Sequence, residues 1–193
     1  MIYKSIGGFS MDKKGISKNI IVLIIVAILA VSLIAVYLAT SGTNSNGGTN
    51  VNGDGDENGT EVNVAGANSL QFKVTVNPVG EDSIEYTYMI KNAQTSDLMM
   101  RIEMESAGEE FIYIINGVQE KVWAYSSGQW MDLSEGFPTY WDTWNSAWQG
   151  YKTNLLDWTG IGDWTYTTPT GDSVRIHTIA VNPTLSDSLF QHS

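Results

Sequence analysis

Cysteine is absent from this chain of 193 residues, and histidine is scarce, with 2 residues. Without cysteine the chain has neither disulfide bonds nor thiolate metal ligands, so a domain outside the cytoplasm must rely on core burial for its stability. The same absence excludes a lipid anchor attached through an N-terminal cysteine.

Basic residues are also few, and they are unevenly placed. Residues 1–19 carry four lysines against Asp12, whereas residues 41–193 carry 6 basic and 20 acidic side chains. An acidic surface disfavours nucleic acid, because nucleic-acid binding depends on Lys and Arg that neutralise phosphates. It also disfavours docking on an anionic lipid face. We therefore expect no nucleic-acid partner.

Residues 20–39 form an uncharged run in which 14 of the 20 residues are Ile, Leu or Val. As a helix, such a run spans about 30 Å, the thickness of the hydrocarbon core of a bilayer. Lysines precede it, which places residues 1–19 in the cytoplasm and the C-terminal part outside. The sequence predicts an uncleaved signal-anchor of the plasma membrane. The alternative is a cleaved secretory signal, whose apolar region would be about 7–15 residues.

A short motif precedes this apolar run. The sequence KKGIS at residues 13–17, before a long apolar helix, resembles the processing site of archaeal type IV pilin-like proteins. The resemblance implies cleavage after Gly15 and bundling of the apolar helices into a filament. Ile20 stands where many pilins carry an acidic residue. A structural cell-surface assembly subunit is therefore the alternative function.

Residues 40–68 contain 7 Gly, 7 Asn and no aromatic residue, a composition that cannot bury a core. We expect a flexible linker with an average span of about 26–32 Å. Asn58 begins an Asn-Gly-Thr pattern for N-glycosylation. Asp54, Asp56 and Asn58 also follow the first half of an EF-hand loop, but Ala65 occupies the position of its bidentate Glu, so no metal site is predicted.

From Ser69 onward the apolar residues alternate with period two, as in SLQFKVTVNP at residues 69–78. This pattern is typical of antiparallel strands that are buried on one face. Asn-Gly at residues 116–117 and Ser-Gly at 127–128 indicate tight turns. We predict a meander of six strands between about 69 and 133 within an extracytoplasmic domain of residues 69–193.

The period becomes helical between Pro138 and Trp158. Pro138 suits the first turn of a helix, and Gly160 suits its end. Two further strands are predicted around a Pro-Thr-Gly-Asp turn at residues 169–172. The fold class is therefore mainly β with one amphipathic helix. The apolar face of that helix consists of Trp141, Trp144, Trp148, Tyr151 and Leu155.

The order of these elements resembles the bacterial lipoprotein-carrier (LolA-like) superfamily over residues 69–193. The resemblance rests on the segments SLQFKVTV, EYTYMIKN, LMMRIEM, FIYIINGVQEKVWAY, QWMDL and VRIHTIAVNPTLSDSLFQ. It implies an open antiparallel half-barrel, closed over by helices around an apolar cavity for acyl chains. The chain departs from the family pattern in two places. A linker stands where the family has a helix before its first strand, and the sequence stops at Ser193, soon after Phe190, where many members continue.

The large apolar side chains of this domain are the candidate binding residues. Ligand pockets are mostly apolar and aromatic, and methionine adapts its shape to variable ligands. We predict a pocket for a lipid or another apolar molecule, while the same side chains also suit a plain core. The pocket residues would be Trp141, Trp144, Trp148 and Tyr151 of the helix, facing Tyr86, Tyr88, Met100, Met104 and Tyr113 of the strands.

The sequence contains no recognisable catalytic constellation. His177 lies in a predicted strand and His192 in the terminal tail, and neither has a nucleophile or second ligand at recognisable spacing. The glutamate pairs at residues 103/105 and 109/110 fall on a polar strand face and beside a turn. We therefore predict a binding protein rather than an enzyme, with no cofactor and no metal.

Overall fold

The computed structural model of the chain describes residues 64–80, 82–106 and 108–192. The predicted cytoplasmic segment, the apolar run and most of the linker, with Gly15 and Asn58, lie outside these residues. Within the described ranges, no helix is long and apolar enough to span a bilayer. Val64 and Ala67, from the segment predicted as linker, are buried against the core of the domain.

Eight strands form one antiparallel sheet with the spatial order β6-β5-β4-β3-β2-β1-β8-β7. The predicted mainly-β antiparallel fold with one helix is confirmed, and the sheet is open rather than closed into a barrel. The strands are β1 (Ser69–Asn77), β2 (Ile84–Lys91), β3 (Met99–Ser106), β4 (Glu109–Asn116), β5 (Lys121–Ser126), β6 (Gln129–Asp132), β7 (Trp164–Thr167) and β8 (Ser173–Val181).

Two hairpin turns show how local sequence sets the meander. Ser127 and Gly128 both have positive φ, 50° and 77°, which is what a two-residue turn matched to the strand twist requires. In the β4–β5 turn the positive φ belongs to Glu120, at 51°, and Gly117 has another role. A Cβ on Gly117 would lie 2.7 Å from the Leu98 carbonyl oxygen and 2.8 Å from the Trp141 ring. Close approach therefore requires glycine there.

Helix α1 (Phe137–Leu155) follows a short 3-10 helix, Ser134–Gly136. Pro138 lies in its first turn, as predicted. The helix ends at Leu155, earlier than the predicted stop at Gly160, because the Leu156 N–H bonds to the Thr153 carbonyl and tightens the last turn. Gly160 instead serves the loop to β7, with φ of 89°.

The helix covers one face of the sheet, which we call the inner face. Alternate residues of the strands point toward it and form a continuous buried cluster with α1. In β8 the alternation breaks where the register with β1 shifts between Gln71 and Lys73. Thr178 has φ of 53° at this irregularity. The bulge allows both Ile176 before it and Ile179 after it to pack against the inner cluster.

The opposite face, which we call the outer face, is partly covered by the chain's last described residues. We call residues 184–192 the C-terminal strap; they include a 3-10 turn, Asp187–Phe190. Its Leu185 and Phe190 join a second buried cluster with Met99, Ile112 and Ile114. Strand β4 is consequently buried on both faces along most of its length.

Candidate functional site

The predicted pocket residues lie together in the layer between α1 and the inner face. Trp144, Trp148 and Tyr151 of α1 are almost fully buried there. The strand residues Tyr86, Tyr88, Met100, Met104 and Tyr113 belong to the same cluster. Trp141 is only partly buried, at the end of the layer near Gly117, where its ring packs 5.6 Å from that of Phe137.

Aromatic rings fill most of the contact between helix and sheet. The ring-centre distances are 5.0 Å for Tyr113–Trp144, 6.2 Å for Phe72–Trp148, 5.1 Å for Tyr88–Tyr151 and 5.3 Å for the stacked pair Phe72–Tyr88. Such ring pairs contribute about 0.5–1.5 kcal/mol each beyond their area burial. The layer therefore binds α1 to three different strands, β1, β2 and β4.

The layer is uncharged. Burial raises the pKa of Tyr86 to about 12, and it raises the pKa values of Tyr88, Tyr113 and Tyr151 above that of an exposed phenol. All four hydroxyls therefore stay protonated at physiological pH. An environment of neutral rings and thioethers suits an apolar ligand and disfavours a charged one.

Several buried polar atoms of the inner cluster lack a hydrogen-bond partner, among them the Tyr88 hydroxyl and Trp164 Nε1. The indole nitrogens Nε1 of Trp144 and Trp148 are buried and make no hydrogen bond. Buried polar groups are nearly always hydrogen-bonded, and a buried donor left unpaired costs about 1–3 kcal/mol. The two unused donors lie on adjacent turns of the same helix face, four residues apart.

The outer face carries a different feature, an open polar groove of about 410 Å³. It is lined by Lys73, Glu85, Thr87, Glu103, Met104, Glu105 and Glu110. Lys73 Nζ lies 2.6 Å from Glu85 Oε1, and this hydrogen bond lowers the pKa of Glu85. Arg101 Nε also lies 2.6 Å from Glu103 Oε1. Among the described residues, no group of three or more His, Asp or Glu is placed to hold a metal ion.

His177 lies beside this groove, on the outer face of β8. Its Nε2 is 3.0 Å from Thr75 Oγ1 and 3.5 Å from Glu85 Oε2, while Nδ1 is 3.1 Å from Thr178 Oγ1. In a catalytic relay the nucleophile and the carboxylate bind opposite ring nitrogens. Here Thr75 and Glu85 both approach the same nitrogen, so the ring is placed as a strand-to-strand link rather than as a relay.

The sequence reasoning did not find the outer cluster of β3, β4, β5 and the strap. A signal was present in β4, where Ile112 and Ile114 are apolar at the positions that the period-two pattern assigns to solvent. The segment that covers them is about 70 residues further along the chain and has no period of its own. Strand pattern alone therefore indicated a second covered face but not what covers it.

Comparison of the chain with protein-family profiles, with curated proteins and with solved structures finds no match. The class that the fold defines is a mainly-β domain with an open eight-stranded antiparallel sheet. One helix covers its inner face, and the C-terminal strap covers part of its outer face.

Proposed function

We propose that this chain is a membrane-anchored extracytoplasmic binding protein for a lipid or another apolar ligand, with a half-barrel domain similar to the lipoprotein-carrier superfamily. Residues 20–39 would anchor it in the plasma membrane, and residues 40–68 would link the anchor to the domain. The ligand would enter between α1 and the inner face of the sheet.

The observation that carries this proposal is the pair of unpartnered indole donors. The layer around Trp144 and Trp148 is apolar and neutral, yet it holds two buried N–H groups without acceptors. A ligand with an apolar chain and a carbonyl or ester oxygen satisfies both properties of the layer. The apolar chain of such a ligand would pack among the aromatic rings, and its burial would contribute about 25 cal/mol per Å² of apolar area removed from water. Its oxygen would accept a hydrogen bond from an indole N–H.

Entry requires α1 to move, and its attachment favours such a movement. Among the described residues, no ion pair joins α1 to the sheet, and Lys152 Nζ reaches Gln94 Oε1 at 3.4 Å. No side chain caps the N-terminus of the helix, because its N-cap residue is Gly136. The helix is followed by a loop in which Gly160 and Gly162 have positive φ. The proposal therefore places the hinge of a helical lid in this loop after α1.

Native mass spectrometry of the intact protein, extracted from its membrane in mild detergent, tests the proposal. We expect a discrete added mass that organic extraction removes. The double variant Trp144→Phe/Trp148→Phe keeps the aromatic volume and deletes both indole donors, so it should retain less of that mass. Trp130→Phe, in the outer cluster, is the matched control and should retain it in full. A bare protein mass in the unmodified chain would contradict the proposal.

The surface-assembly alternative rests on the KKGIS motif at residues 13–17. The same spectra measure the mass of the polypeptide itself. Loss of residues 1–15, together with filaments in the membrane fraction, would favour a pilin-like subunit. A chain that keeps these residues and shows the added mass would favour the tethered binding protein.

A further inference from the structure

The C-terminal strap is bound to the outer face by side chains that hydrogen-bond its backbone. Three neighbouring strands each supply one donor to a strap carbonyl: Lys91 Nζ to Leu185 O at 3.0 Å, Arg101 Nη1 to Leu189 O at 3.3 Å, and Asn116 Nδ2 to Phe190 O at 3.0 Å. Lys91 also pairs with the Asp187 carboxylate. The donors therefore follow the strap from β2 to β4.

Apolar side chains of the strap fill the space between these donors. Phe190 is 0% exposed and Leu185 is 9% exposed, and both pack in the outer cluster around Ile112 and Trp123. At the end of the strap, the His192 ring stacks on Trp130 at 4.5 Å. Donors to backbone carbonyls combined with pockets for separate side chains are the means by which proteins recognise peptides. This part of the outer face, which we call the strap groove, therefore holds residues 184–192 of the same chain.

The connection to β8 separates the strap from the sheet. Strand pairing ends with Val181, and Asn182 N donates to Ser69 O at 2.8 Å. Asn182 has φ of 53°, in the left-handed region, and Pro183 has no N–H to bond. Release of the strap from the strap groove would therefore break no β1–β8 pair. Short hinges held in an unusual conformation favour exchange of the segment that follows them.

We propose that the strap groove of one copy binds the strap of a second copy, so that two chains exchange residues 184–192 reciprocally. The second copy is the partner whose chemistry the structure defines, because each contact of the strap in its own groove can be made equally between chains. The pairing is isologous: once one strap has crossed, the second insertion occurs within the complex, at high effective concentration. The inference is independent of the apolar ligand, because α1 lies on the opposite face.

The absence of cysteine from the chain allows a direct test. One copy of the full chain carries Lys91→Cys and a differently tagged copy carries Asp187→Cys. The two are co-expressed, extracted together and treated with a short bis-thiol cross-linker. We expect a covalent heterodimer at several-fold higher yield than from Lys91→Cys paired with Asp142→Cys, which is exposed on α1.

Adding Phe190→Ala to the Asp187→Cys copy removes the most buried side chain of the strap. It should reduce the heterodimer yield to the level of the Asp142 control, which random collision between chains would not produce. A chain that carries both Lys91→Cys and Asp187→Cys measures the unexchanged state. When its strap lies in its own strap groove, the cross-linker gives an internally cross-linked monomer. A heterodimer yield no higher than the control, with that monomer formed, would overturn the proposal.

Discussion

Gly117 is the residue at which the β4–β5 turn, the β2–β3 connection and α1 meet. Its N–H bonds to the Leu98 carbonyl at 3.0 Å, and the ring of Trp141 lies against it. Substitution by any residue with a Cβ must displace either the backbone of Leu98 or the indole of Trp141.

We expect Gly117→Ala to lower the free energy of unfolding by about 1–3 kcal/mol, the usual cost of overpacking. Gly66→Ala is the control, because a Cβ at Gly66 meets no atom within 4 Å. Chemical denaturation of both variants measures the difference. Equal stabilities would show that Trp141 does not pack on the turn.

Asn-Gly at residues 116–117 was enough to predict a turn, because the pair is typical of hairpins. The sequence could not show why glycine is needed, since the reason is contact with Leu98 and with Trp141, which is distant in sequence. Ser127-Gly128 is the opposite case. There the positive φ values are a local property of the two residues, and the tight turn predicted from them is present between β5 and β6.

At the scale of elements, α1 is positioned by a stripe whose spacing is visible in the sequence. Residues 144, 148, 151 and 155 recur at helical steps, and all four are buried. The spacing fixes which face of the helix turns inward. The spacing does not show whether the layer beneath α1 opens for a ligand. A permanently closed core and a binding layer without its ligand would bury the same side chains.

We expect Trp144→Ala to lower the free energy of unfolding by about 3–5 kcal/mol, as for other buried large aromatic residues. Trp144→Phe should cost much less, because it keeps the contact with Tyr113 and deletes a donor that has no partner. Gln149→Ala, exposed on the other side of α1, should change stability by less than about 0.5 kcal/mol.

Urea denaturation of the three variants measures these values. An Ala variant as stable as the Phe variant would mean that Trp144 is not a packing element of the layer.

The sequence predicted the strands but not the segment that covers their outer face. Period-two alternation assigns Phe72 and Tyr88 to the inner face, as the structure has them. The strap contributes Leu185 and Phe190 from an aperiodic segment, so no pattern links them to β4. Pairing between elements distant in sequence depends on three-dimensional fit, which periodicity does not encode.

At the scale of the whole molecule, the two faces of one open sheet have different partners. The inner face packs against α1, and part of the outer face holds residues 184–192 of the same chain. Another part of the outer face is the polar groove, which is lined by glutamates. Because the two apolar clusters are on opposite faces, the proposed ligand under α1 would not compete with an exchanged strap for the same surface.

The most direct test of the central claim is to fix α1 on the sheet and measure ligand uptake. In the full chain, Gln94→Cys/Lys152→Cys, cross-linked with a short bis-thiol reagent, joins α1 to the β2–β3 turn where these side chains meet at 3.4 Å. Lys121→Cys/Asp132→Cys, cross-linked between β5 and β6 where the native pair is 3.8 Å apart, is the control. Quenching of tryptophan fluorescence by a brominated fatty acid reports uptake. Saturable quenching in the uncrosslinked chain and the control, lost when α1 is fixed, is the predicted result; equal quenching in all three would contradict binding beneath the helix.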